Sequence, residues 1–187
     1  MSVVHRDIKP DNLMVDADLN VTLIDYGTAQ SIGLDETAGA LNEEYPVGDL
    51  NYAAPEYLKG NRATLTSDLF SLGVTVYEML TGHLPYKPVN ASNPRSVNRG
   101  EYISARLFRP DVPDWLDAVL KKACHPSSGA RYQALSEFSQ DLNAPNPSLL
   151  KRQHHLPLME KHPLGFWKGL CVVLLFIVLI QFGFLLT

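Results

Sequence analysis

His5-Arg6-Asp7-Ile8-Lys9-Pro10-Asp11-Asn12, followed at a distance by Asp25-Tyr26-Gly27, is the stretch from which the rest of the chain is read. Between the two lie Leu13-Met14-Val15 and Val21-Thr22-Leu23-Ile24, short apolar runs on either side of the turn-rich Asp16-Ala17-Asp18-Leu19-Asn20. That is the pattern of a β-hairpin. Pairing the runs antiparallel sets Leu13 opposite Ile24 and Val15 opposite Thr22. Asn12 and Asp25 then meet at the open end, roughly 5 Å apart between Cβ atoms. A carboxylate and an amide oxygen that close form a hard-oxygen site suited to Mg²⁺ with a phosphate as co-ligand. Asp7 and Lys9 flank it. The first can orient or accept a hydroxyl proton and the second can neutralise a phosphoryl oxygen.

This stretch resembles the catalytic and magnesium-binding loops of eukaryotic-type (Hanks-type) protein kinases. Lys9-Pro10 after the Asp resembles the serine/threonine subclass. The resemblance runs from about Val3 to Leu142 and includes Ala54-Pro55-Glu56 at a fitting interval. A solvated acidic turn would not bring these motifs in this order. The resemblance implies a mainly α fold, a kinase-like C-lobe with a small β-hairpin at the catalytic cleft. It implies ATP and Mg²⁺ as cofactors and a protein as substrate. Carried across, Asp7 is the catalytic base, Lys9 the γ-phosphate contact, and Asn12 and Asp25 the metal ligands.

A glycine-rich loop, a strand Lys and a helical Glu stand upstream of these motifs in the family. Only four residues precede His5, and none is Gly, Lys or Glu. The expectation is a C-lobe without its N-lobe, to be completed in cis or in trans. At 187 residues, 45% hydrophobic and 19% charged, the chain fits one globular domain with an appendage. A net charge of −4 provides no basic footprint, so nucleic acid is not an expected partner. Cys124 falls in a helical pattern and Cys171 in an apolar tail, which suits unpaired thiols in a reducing compartment.

Thr28 to Tyr52 is polar and aperiodic, and by resemblance it is the activation segment. The family usually has a Thr after the Gly preceding Ala-Pro-Glu, whereas here Asp49 follows Gly48. A carboxylate there is expected to crowd Asp7 with like charge unless Lys9 or water intervenes. Tyr26 replaces the usual Phe, a milder change. Arg6 matches the position that receives a loop phosphate, for which Thr28, Ser31, Thr37 and Tyr45 are candidates and the carboxylates of Asp35, Glu36, Glu43 and Glu44 substitutes.

Thr66 is the expected N-cap of a helix through Leu80, stopped by Gly82 and Pro85. Leu69, Phe70, Leu72, Val74, Val76, Tyr77, Met79 and Leu80 surround it, so it should be buried. By resemblance Asp68 anchors the backbone of the His5 loop and Arg131 pairs with Glu56. Trp115, Leu116, Val119, Leu120 and Ala123 mark a second core helix, and Tyr132, Leu135 and Phe138 a last amphipathic one. Lys87 to Gly100, rich in Pro, Asn and Ser, reads as a surface connection.

The lobe is assigned to residues 1–142 and a juxtamembrane linker to 143–163. Residues 164–187 are expected to form a transmembrane helix, since the near-uninterrupted apolar run from Gly169 gives roughly 27 Å of helix. Lys151, Arg152, Lys161 and Lys168 all precede it. That places the lobe on the cytoplasmic side of a membrane.

The leading functional reading is a membrane-anchored serine/threonine kinase lobe. A pseudokinase-like lobe that binds partners is an alternative, motivated by Asp49 and the missing N-lobe. The C-terminal part of a fused phosphatase–kinase is another. A small-molecule phosphotransferase is disfavoured by Arg6, Lys9-Pro10 and Ala54-Pro55-Glu56.

Overall fold

The computed structural model describes residues 2–32, 46–97, 99–154 and Trp167. They belong to two units, Met1–Asn146 and Pro147–Thr187. The first holds strands β1 (Ser2–Val4), β2 (Leu13–Val15), β3 (Val21–Leu23) and β4 (Gln30–Ile32). It also holds helices α1 (Pro55–Leu58), α2 (Leu65–Thr81), α3 (Asp114–Ala123) and α4 (Leu135–Asn143).

Apolar residues dominate α2, with no proline to interrupt it, and its ends are set by local chemistry. Thr64, not Thr66, is the N-cap: its amide donates to Ser67 Oγ at 3.1 Å, half of a capping box. Thr66 lies two residues too late and shares a hydroxyl contact with Thr64. Gly82 ends the helix at φ 72°, a left-handed position where glycine carries no Cβ penalty. Leu69, Phe70, Val74 and Tyr77 are buried, as expected, whereas Met79 is 59% exposed and leaves the helix one open edge. On the buried side Gly73 lets α3 approach so closely that a Cβ there would sit 2.8 Å from that of Ala123.

Around α2 the described residues pack in core clusters, three of which build the lobe's centre. Phe70 and Val74 pack with Ala54, Tyr86 and Cys124; Tyr77 packs with Ala105, Val112 and Leu120; Ala53, Tyr57 and Leu58 form the third. The buried tyrosines spend their hydroxyls on fixed acceptors: Tyr77 on Ile103 O (2.9 Å), Tyr86 on Cys124 O (2.8 Å) and Tyr132 on Asp141 (2.9 Å). Paired in this way, polar groups can lie in the core without the cost of an unmade bond. In α3 the stripe of Val119, Leu120 and Ala123 is buried, while Trp115 is only partly covered.

Two small antiparallel pairs complete the unit. β1 pairs with β4 through Ser2↔Ile32, Val3↔Ser31 and Val4↔Gln30, a pairing of three-residue strands too short for periodicity to reveal. β2 pairs with β3 through Leu13↔Leu23, Met14↔Thr22 and Val15↔Val21. This is one residue away from the register expected from sequence. The cause is the turn: Asp16 N donates to Asn20 O, and Leu19 takes φ 65° between them. A three-residue loop with its last residue left-handed is a standard hairpin closure. Asp16 secures it by accepting from the amides of Asp18 (2.9 Å) and Asn20 (2.8 Å) and from Asn20 Nδ2 (2.9 Å).

In the second unit α5 (Pro147–His154) occupies part of the stretch expected to be an unstructured linker. Proline at its first position is suited to a helix start, and Leu149 to Gln153 are helix formers. The expected transmembrane helix over 164–187 lies outside the described residues apart from Trp167. Among the described residues no helix is long and apolar enough to cross a membrane. The longest, α2, has 17 residues and carries Asp68 and Glu78, against about 20 apolar residues for a bilayer core. The fold class is corrected accordingly to a kinase-like helical lobe with two small antiparallel strand pairs, and membrane localisation is not retained.

Candidate active site

Asp7, Lys9 and Asn12 are brought together in one buried corner at the start of the hairpin. Asn12 is 6% exposed and donates from Nδ2 to Asp7 O (2.7 Å) and to Asp7 Oδ2 (3.0 Å). Lys9 Nζ lies 3.2 Å from the same Oδ2. The amide nitrogen of Asn12 is thus committed, which leaves its oxygen as the group offered to a cation. Asp25 follows β3, where Ile24 N donates to Asn12 O at 2.9 Å. It is exposed, takes φ 61° and accepts from Gly27 N at 3.2 Å. Ile24 rather than Asp25 therefore stands opposite Asn12, and Asp25 follows it in a left-handed conformation.

The carboxylate conflict expected from Asp49 does not arise. Asp49 meets Asp7 through its backbone amide, which donates to Asp7 Oδ1 at 2.8 Å. Its side chain turns away to accept from Asn51 N at 2.9 Å. Burial works to raise the Asp7 carboxyl, but the Asp49 amide, Lys9 and Asn12 outweigh it and hold the group below its ordinary range. Asp7 is a buried carboxylate kept ionised by three donors.

Gly48 makes this approach feasible. Its φ is +85°, and a Cβ on it would come 2.8 Å from both Arg6 O and Asp7 Oδ1. Gly48→Ala should therefore cost about 1–2 kcal/mol in backbone strain alone and also displace the Asp49 amide. Urea unfolding would register the first effect, and faster exchange of the Asp49 amide the second. An alanine variant as stable as the parent, with Asp49 equally protected, would contradict this account.

The loop is fastened to the core from below. Asp68, in the first turn of α2, accepts from His5 N (2.7 Å) and Arg6 N (3.0 Å), the anchoring role implied by resemblance. Burial pushes its carboxyl up against the pull of those two bonds. Arg6 sits at φ 71°, a conformation that persists in non-glycine residues only where surroundings impose it. Its side chain donates to Thr28 O and to Gln30 Oε1, while Thr28 Oγ1 donates to His5 O at 2.7 Å. Of the expected phosphate acceptors, Thr28 is thus engaged and the Ser31 hydroxyl is buried. Thr37 and Tyr45 lie outside the described residues, as do the substitutes Asp35, Glu36, Glu43 and Glu44. Tyr26 is 59% exposed, its ring edge-on to His5 at 5.0 Å between centroids.

Farther along, Glu56 and Arg131 form the expected pair, with bonds of 2.7 and 2.6 Å. Arg131 also donates to the carbonyls of Thr66, His125 and Pro126. The sequence reading missed three participants: the Asp49 amide, Asn51 and Arg99. None belongs to a motif, because each is one half of a contact to a backbone group: the Asp49 amide itself, the Val89 amide that Asn51 Oδ1 accepts from, and the Leu50 and Ala53 carbonyls that Arg99 reaches.

As a metal site the corner offers one carboxylate and one amide oxygen. Among the described residues no three His, Cys, Asp or Glu side chains gather as a metal cage. The donor set fits Mg²⁺, which keeps several waters and borrows phosphate oxygens rather than demanding an all-protein cage.

A family model described as the protein kinase domain matches residues 1–142, and the chain belongs to that family. The serine/threonine-protein kinase PrkC of Bacillus subtilis (strain 168) is 29% identical over 141 residues, covering 75% of this chain and 21% of that protein. The serine/threonine-protein kinase PknB of Mycobacterium tuberculosis (strain ATCC 25177 / H37Ra) is 33% identical over 144 residues, covering 75% and 22%. The chain thus spans about a fifth of the length of these curated relatives. Among solved structures, the kinase PK-1 of Cydia pomonella granulovirus superposes with a TM-score of 0.60 at 18% identity. That likeness covers 75% of this chain and 51% of the other, and it speaks to the fold.

Proposed function

We propose that this lobe carries the acceptor side of an ATP-dependent serine/threonine protein kinase. The observation that carries the reading is the Asp7 carboxylate, buried yet held ionised by Lys9, Asn12 and the Asp49 amide. In this reading Asp7 orients a substrate seryl or threonyl hydroxyl and takes its proton as the oxygen bonds to the γ-phosphorus and the bond to ADP breaks. Lys9 neutralises charge on the γ-phosphoryl oxygens. Asn12 Oδ1 and Asp25 would hold Mg²⁺, which would neutralise phosphate charge. The position of Asp49 removes one ground for an inactive, partner-binding lobe.

A lobe covering the nucleotide is part of the proposal, whether supplied in cis or in trans. It is supported by exposed apolar side chains on the β2–β3 hairpin: Val15 (52%) and Val21 (61%), opposed on one face, and Met14 (61%) on the other. Apolar side chains left open on a small hairpin suit a covering partner. The test is calorimetry with Mg-ATP and a radiolabelled transfer assay, on the 187-residue chain alone and with a kinase N-lobe fused or co-expressed. Negligible binding and transfer alone, with both appearing on addition of the lobe, is the expected result. Tight binding and turnover by the unassisted chain would overturn the need for a second lobe. Transfer absent from the completed form would overturn the kinase reading.

A further inference from the structure

The connection between Lys87 and Gly100 looks unremarkable in sequence, yet it grips the turn that fixes Asp7. Arg99 is 5% exposed and has no carboxylate partner among the described residues. Its guanidinium donates to Leu50 O at 2.9 Å and to Ala53 O, and lies 5.5 Å from the centre of the Phe70 ring. Burial pulls the guanidinium down to about 10, which still leaves it charged at neutral pH. A buried charge answered only by carbonyls is costly and is retained where it holds something in place.

What it holds is one hydrogen-bonded turn. Tyr52 N and Ala53 N both donate to Asp49 O at 3.2 Å, and Asp49 N is the donor to Asp7 Oδ1. From the other side Val89 N donates to Asn51 Oδ1 at 3.0 Å. Val89 and Val97 pack beside Ala53, Tyr57 and Leu58.

We propose that Arg99 is a positioning residue for the Asp7 site, holding through the Leu50 and Ala53 carbonyls the turn whose Asp49 amide orients the Asp7 carboxylate. The catalytic meaning of this rests on the reading of Asp7 as the base; the mechanical link does not. Arg99→Met removes both bonds, which come from the single nitrogen Nη2, Arg99→Lys keeps a charge able to reach one carbonyl, and Asn51→Ala loosens the same turn without stranding a charge.

The experiment compares amide exchange across residues 49–53 and α2 in the 187-residue chain, and kcat with KM for ATP in the lobe-completed form. Exchange at Asp49, Tyr52 and Ala53 should rise about three- to tenfold in Arg99→Met, the scale of one lost net hydrogen bond, while α2 keeps its protection. Arg99→Lys should be intermediate and Asn51→Ala displaced the same way. In the lobe-completed form kcat should fall while KM for ATP is unchanged. Exchange rising equally in α2, or unmoved at Asp49 in both Arg99→Met and Asn51→Ala, would reduce Arg99 to general stabilisation and overturn the proposal. A completed parent without transfer would sink the kinase reading instead, and the exchange results would still decide the role of Arg99.

Discussion

An Arg131→Met chain should be less stable than its parent by about 3–5 kcal/mol, the cost of leaving a buried partner charge unanswered. Arg131 is 3% exposed and makes a two-pronged contact with Glu56, three carbonyl bonds, and a stacking contact 4.8 Å above the Phe70 ring. Without it Glu56 keeps the hydroxyl of Ser67, at 3.0 Å, and its own backbone amide. Against a domain stability of about 5–15 kcal/mol, such a loss comes close to unfolding the lobe at 37 °C. The double variant Glu56→Leu/Arg131→Met should recover much of it, because no stranded carboxylate remains. The pH dependence carries a sign. Burial would raise the Glu56 carboxyl, but the Arg131 bonds outweigh it and hold the folded-state value below the ordinary 4.5. The pair's contribution is therefore complete above that value and is lost as pH falls below it. Urea unfolding at pH 7 and near pH 4 should show the parent weakening in that window and the double variant losing the dependence. A single variant unfolding at the parent's midpoint would show the pair to be dispensable.

The second large effect is chemical. In the lobe-completed form, Asp7→Asn should lower kcat by about 10²–10⁴, the usual worth of a positioned acid–base group, with nucleotide affinity retained. The change is nearly isosteric, but it turns an acceptor facing three donors into a group with two donors of its own. Because Lys9, Asn12 and the Asp49 amide hold the parent carboxyl below 3.8, protonation of Asp7 should not limit the rate until the pH falls below that value. Single-turnover transfer with and without the substitution measures the loss. Transfer at the parental rate by Asp7→Asn would remove Asp7 from the chemistry.

The parts of this lobe that side chains specify could be read from sequence. The apolar stretch of α2, its Gly82 stop, the Asp68 anchor and the Glu56–Arg131 pair each depend on residue type at a spacing. What escaped the reading depends on backbone. The hairpin register is set by Leu19 in a left-handed conformation, the contact to Asp7 by the amide of Asp49, and the clasp of Arg99 by two carbonyls. A carboxylate at position 49 suggested repulsion because residue letters name side chains, whereas the functional atom there is the main-chain nitrogen. The same blindness applied to β1 and β4, where three residues give no period to detect, and to α5, whose leucines were hidden among prolines.

The turn closing the β2–β3 hairpin has a consequence for how this lobe can vary in evolution. Surface loops ordinarily absorb insertions and deletions at little cost, and this one looks expendable, being exposed and remote from any core cluster. Yet its three residues determine which residue of β3 stands opposite Asn12, and so where the chain delivers Asp25. One residue more or fewer between Asp16 and Asn20 slides the strand by a step and turns each side chain to the other face. The length of an exposed turn is thus tied to where an acidic side chain stands at the other end of the hairpin.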